Sequence, residues 1–198
     1  YDRKGNGVID FPTVLQVSSN VAMVQAMNRV KPGRFWHWLD AMGIGSAPDT
    51  DLPGAVAGEL KRRSDFIAQP IEPAVASFGQ GFSLTPLKLV QLHAMLANGG
   101  RMVSPHITRG LRSGEALASA PAGGGIQLLD PAVTQTVMRW MESVVEQGSG
   151  KGARIPGYRI GGKTGTAQVI GIKQNEKYDA RRIAERFRDH SLYMAFAP

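Results

Sequence analysis

Gly161-Gly162-Lys163-Thr164-Gly165-Thr166 puts one cation, two hydroxyls and three glycines into six residues. Such a segment makes a poor core element and a good seat for an anion. An extended backbone from Lys163 to Gln168 alternates its side chains, so Lys163 and Gly165 fall on one face and Thr164 and Thr166 on the other. Gly165 leaves the backbone bare, and an extended peptide could lie along this edge and pair with it. The threonine hydroxyls could then donate to a carboxylate while the ammonium attracts it. Read without its surroundings, the segment is an ordinary glycine-rich turn before a strand, with a solvated lysine. Gly157 to Thr164 also satisfies the phosphate-loop spacing G-x-x-x-x-G-K-[ST], which needs a buried strand before it and a helix after it. Gly152-Ala153-Arg154-Ile155-Pro156 precedes and the strand-like run Thr166–Ile172 follows, so that match is read as accidental.

A second segment breaks a pattern. Val17-Ser18-Ser19-Asn20 interrupts a helical run of apolar residues at Val14, Leu15, Val17, Val21, Met23 and Val24. Ser and Asn bond to nearby backbone and are poor helix-interior residues. Two readings stand: a break that presents Ser18 and Asn20 together, or a cap for the following helix. A third segment, Phe78-Gly79-Gln80-Gly81 followed by Ser83-Leu84-Thr85-Pro86-Leu87, is a glycine turn feeding a capped helix. Trp36, Trp38 and Trp140 read as core residues, and His37 and His93 as core-edge residues without metal-ligand spacing. No G-x-S-x-G elbow supports a triad hydrolase.

Composition bounds these readings. The chain has 198 residues, 42% hydrophobic and 20% charged, which is globular. Its net charge of +7 is compatible with nucleic acid, anionic lipid or an anionic wall polymer. Zero cysteines exclude disulfides, thiolate catalysis and Cys-ligated metal. The spacing predicts helices from Asp10 to Ser18, Val21 to Val30, Pro32 to Met42, Pro86 to Asn98 and Asp130 to Gly148. The Pro86–Asn98 helix is apolar nearly all round and is expected at the centre of the core. Strands are expected at Met102–Ile107, Tyr158–Ile160, Thr166–Ile172 and Leu192–Ala197, a loop from Arg112 to Gly125, and a surface helix within Lys173–His190. The expected class is α+β, helical clusters around an antiparallel sheet. There is no initiator Met, and the last residues form an apolar strand. The chain is therefore expected to be a single incomplete domain, 1–198, cut at both ends.

Taken in order, Ser18-x-Asn20, then Gly79-Gln80-Gly81 with the Thr85-Pro86-Leu87 helix, then Lys163-Thr164-Gly165-Thr166, resembles class B penicillin-binding proteins. The likeness extends to Gly5-Asn6-Gly7 before Asp10-Phe11-Pro12, and to Ala97-Asn98-Gly99-Gly100 before Ser104-Pro105-His106. The resemblance implies the fold of the penicillin-binding and serine β-lactamase-like transpeptidases. It implies peptidoglycan cross-linking by serine acyl transfer from D-Ala-D-Ala stem peptides, with β-lactams acylating the same serine and no cofactor or metal. It implies that Ser18 relays protons, that Asn20 binds the peptide carbonyl, and that Lys163, with Thr164, Gly165 and Thr166, receives the terminal carboxylate. The Thr166 N–H would form half of an oxyanion hole.

The family's S-x-x-K nucleophile motif is absent from these residues and is expected upstream of Tyr1, last strands being expected downstream; the chain as it stands is expected to be inactive. Ser18-Ser19-Asn20 and its approach look like the division-type enzyme, whereas Asn175-Glu176-Lys177-Tyr178 through Asp189-His190 look like the elongation type. The resemblance further implies a single-span anchor in the bacterial inner membrane, a periplasmic catalytic domain, and partners in a membrane glycosyltransferase and a division or elongation complex. Alternatives are a β-lactamase or carboxypeptidase, or a β-lactam sensor, of the same superfamily. A basic nucleic-acid or lipid-binding module is disfavoured because Glu185 and Asp189 interleave with the arginines of 181–188; no nucleic-acid partner is expected.

Overall fold

The computed structural model describes residues 5–114, 116–119, 125–165 and 193–196. In chain order these form helices α1 (Phe11–Val17), α2 (Asn20–Met27), α3 (Pro32–Ala41), α4 (Arg63–Ala68), α5 (Ile71–Ala76) and α6 (Pro86–Ala97). Four short strands follow, β1 (Arg101–Met102), β2 (Gly110–Ser113), β3 (Ala116–Ser119) and β4 (Ile126–Gln127). The chain then builds the long helix α7 (Pro131–Gln147), a 3₁₀ turn at Lys151–Ala153, and strands β5 (Gly161–Thr164) and β6 (Tyr193–Phe196). The strand pairs β1–β4, β2–β3 and β5–β6 are all antiparallel, which with the helices makes the class α+β.

The chain divides into two compact units, Tyr1–Ser19 with Arg139–Pro198, and Asn20–Met138. The larger unit is organised by proline-started helices. Pro32 opens α3 and Pro86 opens α6, where the Thr85 hydroxyl accepts from the Lys88 N–H at 3.1 Å. Leu39, Ile44, Phe66 and Ala76 form its buried cluster, with Phe35, Trp36, Leu60 and Phe82 packed on it. Phe35 and Phe66 meet edge-on at 5.8 Å. Each such side chain contributes about 1.5–3 kcal/mol when fully buried. The Trp36 indole N–H donates to the Lys61 carbonyl at 2.8 Å, and Lys61 pairs with the buried Glu72 carboxylate.

Five expectations are corrected. The residues of α6 that are fully buried are Lys88, Gln91 and Met95, while Val90 is exposed, so this helix is not the apolar centre of the core. The Lys88 ammonium donates to Gln91 Oε1 at 2.8 Å and Gln91 Nε2 donates to the Val103 carbonyl at 2.7 Å; a buried cation is tolerated when its protons have such acceptors. Burial still pushes the Lys88 pKa below that of an ordinary lysine. The expected strand at Met102–Ile107 shrinks to β1, and at its far end Asp51 takes the backbone donors: its carboxylate accepts the Ile107 and Thr108 N–H groups, each at 2.8 Å, and its pKa falls to about 2. The expected loop at 112–125 begins as a hairpin, with Arg112 opposite Leu117 and Gly114 at φ 61° in its turn. Tyr158–Ile160 is not a strand; pairing starts at Gly161. His37, expected at a core edge, is exposed. The expected strand at Thr166–Ile172 and the helix within Lys173–His190 lie outside the described residues.

Gly100 closes the turn after α6. Its φ is +90°, and an added Cβ would lie 2.2 Å from the Leu129 carbonyl oxygen, whereas at Gly99 (φ +79°) the nearest atom would be Pro131 Cβ at 4.0 Å. Gly99→Ala therefore carries only the left-handed backbone cost, about 1 kcal/mol, and Gly100→Ala adds a clash with rigid backbone, about 3 kcal/mol or more in total. Thermal denaturation is expected to place Gly100→Ala clearly below Gly99→Ala; equal melting temperatures would contradict the close approach.

Candidate functional site

The site is built in the smaller unit by the end of one short helix, the turn after a long one, and a strand. Asp10 caps α1, its Oδ1 accepting the Thr13 N–H at 3.1 Å, and the bonds to Thr13 hold its carboxyl below the usual range. Pro12 suits the first turn. The helix ends seven residues later in a Schellman turn: Ser18 N–H donates to Leu15 O at 3.3 Å and Ser19 N–H to Val14 O at 3.1 Å. The residue in the left-handed position of that turn is Ser18, with φ 56° and ψ 48°, the one non-glycine residue with positive φ among those described. Glycine usually occupies this place, and a Cβ there costs about 1–2 kcal/mol.

That turn offers Ser18 to a cation. Lys163 Nζ donates to Ser18 Oγ at 2.6 Å, closing a contact between residues 145 apart in sequence. The same ammonium donates to the Thr164 carbonyl at 3.0 Å and lies 3.5 Å from Thr164 Oγ1. Lys163 is half-buried, and burial pushes its pKa below that of an ordinary lysine; among the described residues no carboxylate pairs with it. Among the described residues its charge is thus uncompensated by a carboxylate, which favours an incoming anion.

Strand β5 holds the lysine in place. Gly161 and Gly162 are buried, and the strand pairs residue for residue with β6, Lys163 opposite Met194 and Thr164 opposite Tyr193. Because Lys163 and Thr164 belong to this strand, the phosphate-loop pattern fails in structure as well: such a loop would carry them at the mouth of a helix. Gly165, directly after β5, is exposed, with nothing within 4 Å of where a Cβ would be.

Sequence reasoning missed Ser149, in the turn after α7. Its hydroxyl lies 3.1 Å from Thr164 Oγ1, and its N–H donates to the Gln16 carbonyl at 2.8 Å. Gly148 permits this approach, since a Cβ there would stand 2.6 Å from that same Gln16 oxygen. Gln16 Nε2 donates to Ser143 Oγ at 3.1 Å and the Phe11 and Trp140 rings meet tilted at 5.4 Å, so α1 is fastened to α7 at two points. A Gly-Ser-Gly sequence after a helix reads as generic punctuation, and nothing in it signals a partner fifteen residues on.

Of the predicted residues, Ser18, Lys163 and Thr164 are therefore brought together. Asn20 is the first residue of α2 and belongs to the other unit. Thr166 lies outside the described residues. An ammonium on a hydroxyl, with a second hydroxyl beside them, can hold an anion and pass a proton: Ser18 Oγ accepts from the cation and keeps its own hydrogen to give.

The chain is 36% identical over 179 residues to the peptidoglycan D,D-transpeptidase FtsI homolog of Mesostigma viride, covering 82% of this chain and 30% of that protein. It is 32% identical over 210 residues to the peptidoglycan D,D-transpeptidase MrdA of Acinetobacter baumannii, covering 100% of this chain and 31% of that protein. The chain thus spans less than a third of the length of either relative. Its fold superposes on the crystal structure of penicillin binding protein 3 from Mycobacterium tuberculosis complexed with ampicillin, with a TM-score of 0.80, 30% identity, and coverage of 90% of this chain and 41% of that one. The α+β arrangement is that of penicillin-binding protein transpeptidase domains. Residues 1–198 match the penicillin binding protein transpeptidase domain throughout, and the chain belongs to that family.

Proposed function

We propose that the protein carrying this chain cross-links peptidoglycan as a serine D,D-transpeptidase. The observation that carries the reading is the 2.6 Å contact from Lys163 Nζ to Ser18 Oγ, together with a family match over the whole chain. A nucleophilic serine in an S-x-x-K motif preceding Tyr1 attacks the carbonyl of a D-Ala-D-Ala bond. The C–N bond breaks, the leaving D-Ala takes a proton through Ser18, and the acyl-enzyme ester is then opened by an amine of a neighbouring stem peptide. Asn20 holds the peptide carbonyl. Lys163 and Thr164 receive the terminal carboxylate with Thr166, whose N–H supplies half of the oxyanion hole beside exposed Gly165. On this reading, 1–198 is one incomplete transpeptidase domain, with the nucleophile before it and further strands after it.

The relatives carry both the FtsI-homolog and the MrdA name, which parallels the mixed subtype features of the sequence. A membrane-anchored, extracytoplasmic protein working with a glycosyltransferase suits such chemistry; among the described residues no helix is long and apolar enough to cross a membrane. The test is covalent labelling of the full-length protein by a fluorescent penicillin, with the adduct located by peptide mass mapping. Labelling on a serine of an S-x-x-K motif is expected. Absence of any adduct at saturating penicillin would end the assignment.

A further inference from the structure

We propose that Ser149 is a positioning residue of the carboxylate site, acting through Thr164; this rests on the transpeptidase reading above. A threonine hydroxyl has one hydrogen and two lone pairs. An incoming carboxylate is acceptor-only, so Thr164 serves it by pointing its hydrogen at it. The lone pairs of Thr164 Oγ1 must then face donors. Among the described residues two stand near: Lys163 Nζ at 3.5 Å and the Ser149 hydroxyl at 3.1 Å. The lysine is distant and already committed to Ser18 and to the Thr164 carbonyl. Ser149 is therefore the donor that sets the direction of the Thr164 hydrogen, and a chain Ser149 to Thr164 to carboxylate polarises along its length.

The placement of Ser149 suits an orienting role. Its N–H is held at 2.8 Å by the carbonyl of Gln16, the penultimate residue of the helix that presents Ser18. Its own turn is held close by Gly148, where no side chain fits. The backbone that carries the hydroxyl is thus held in place, and the hydroxyl faces Thr164 Oγ1. Ser149 is also exposed, so removing its oxygen leaves no buried void.

The experiment compares second-order acylation of the full-length protein by benzylpenicillin, which has a free carboxylate, and by its methyl ester, which has none. Loss of one neutral hydrogen bond predicts that Ser149→Ala reacts about five- to tenfold more slowly with the acid. The ester rate should change less than twofold, and Ser149→Thr, which restores the hydroxyl, should react with the acid within about twofold of the parent. Equal losses with acid and ester, an unchanged acid rate, or a Thr variant as slow as Ala would each overturn the role of Ser149. If the parent protein is not acylated by the acid at all, the transpeptidase reading itself falls, and this role with it.

Discussion

Lys163→Ala is expected to lower acylation of the full-length protein by penicillin by about 10²-fold or more, the scale of losing a preorganised charge or donor in an active site. One ammonium makes both contacts of interest, to Ser18 and alongside Thr164, so on the transpeptidase reading its loss removes the attraction for the carboxylate and the electrostatic support of the relay together. Stability should move differently. Burial lowers the pKa of Lys163 from the ordinary 10.5; the folded state therefore binds its proton less tightly than the unfolded one, and the charged lysine opposes folding at neutral pH. Alanine relieves that opposition, so the melting temperature should hold or rise while acylation collapses. The pH profile follows from the same shift. Activity needs the ammonium, is complete at pH below the folded pKa, and is lost as pH rises through it, so the alkaline limb should fall below pH 10.5. A fall in melting temperature that accounts for the lost labelling would contradict the assignment, as would an alkaline limb above the ordinary lysine value. Lys163→Arg should not rescue, because a planar guanidinium cannot replace a point-like ammonium between two oxygens.

Ser18→Ala is the second large effect. If Ser18 carries protons between the nucleophile and the leaving group, its loss should lower acylation about 10²- to 10⁴-fold, the usual worth of positioned acid–base catalysis. Alanine keeps the strained backbone of the native turn, and Ser18→Gly removes it. Both variants should be nearly inactive, whereas glycine should be about 1 kcal/mol or more stable than alanine in thermal or urea denaturation. Wild-type labelling rates in either variant would remove Ser18 from the relay.

The parts of this site that were legible in the sequence are those where local chemistry contradicts its surroundings. Ser18-Ser19-Asn20 inside an apolar helical run marked a break, and the structure ends α1 at Val17 and starts α2 at Asn20. Thr85-Pro86 before an apolar run marked a helix start, and Thr85 caps α6. What stayed hidden depends on partners far along the chain. The burial of Lys88 needs Gln91 and the Val103 carbonyl, and a lysine in a helix otherwise reads as surface. Strand β5 begins at Gly161 because β6 supplies its ladder, which no property of two glycines announces. Helices α4 and α5 are six residues each, too short for a periodic pattern to stand out, and α5 contains Pro73. Ser149 acquires its meaning from Thr164 and Gln16 alone.

The left-handed serine at the end of α1 sets durability against chemistry within a single residue. Selection for heat resistance alone would favour glycine at position 18, gaining a relaxed backbone and discarding the oxygen that Lys163 holds. On the transpeptidase reading, random variants of the full-length protein that become hardier by that route should thus become silent toward penicillin, and a lineage that keeps the serine must accept a slightly less robust helix end.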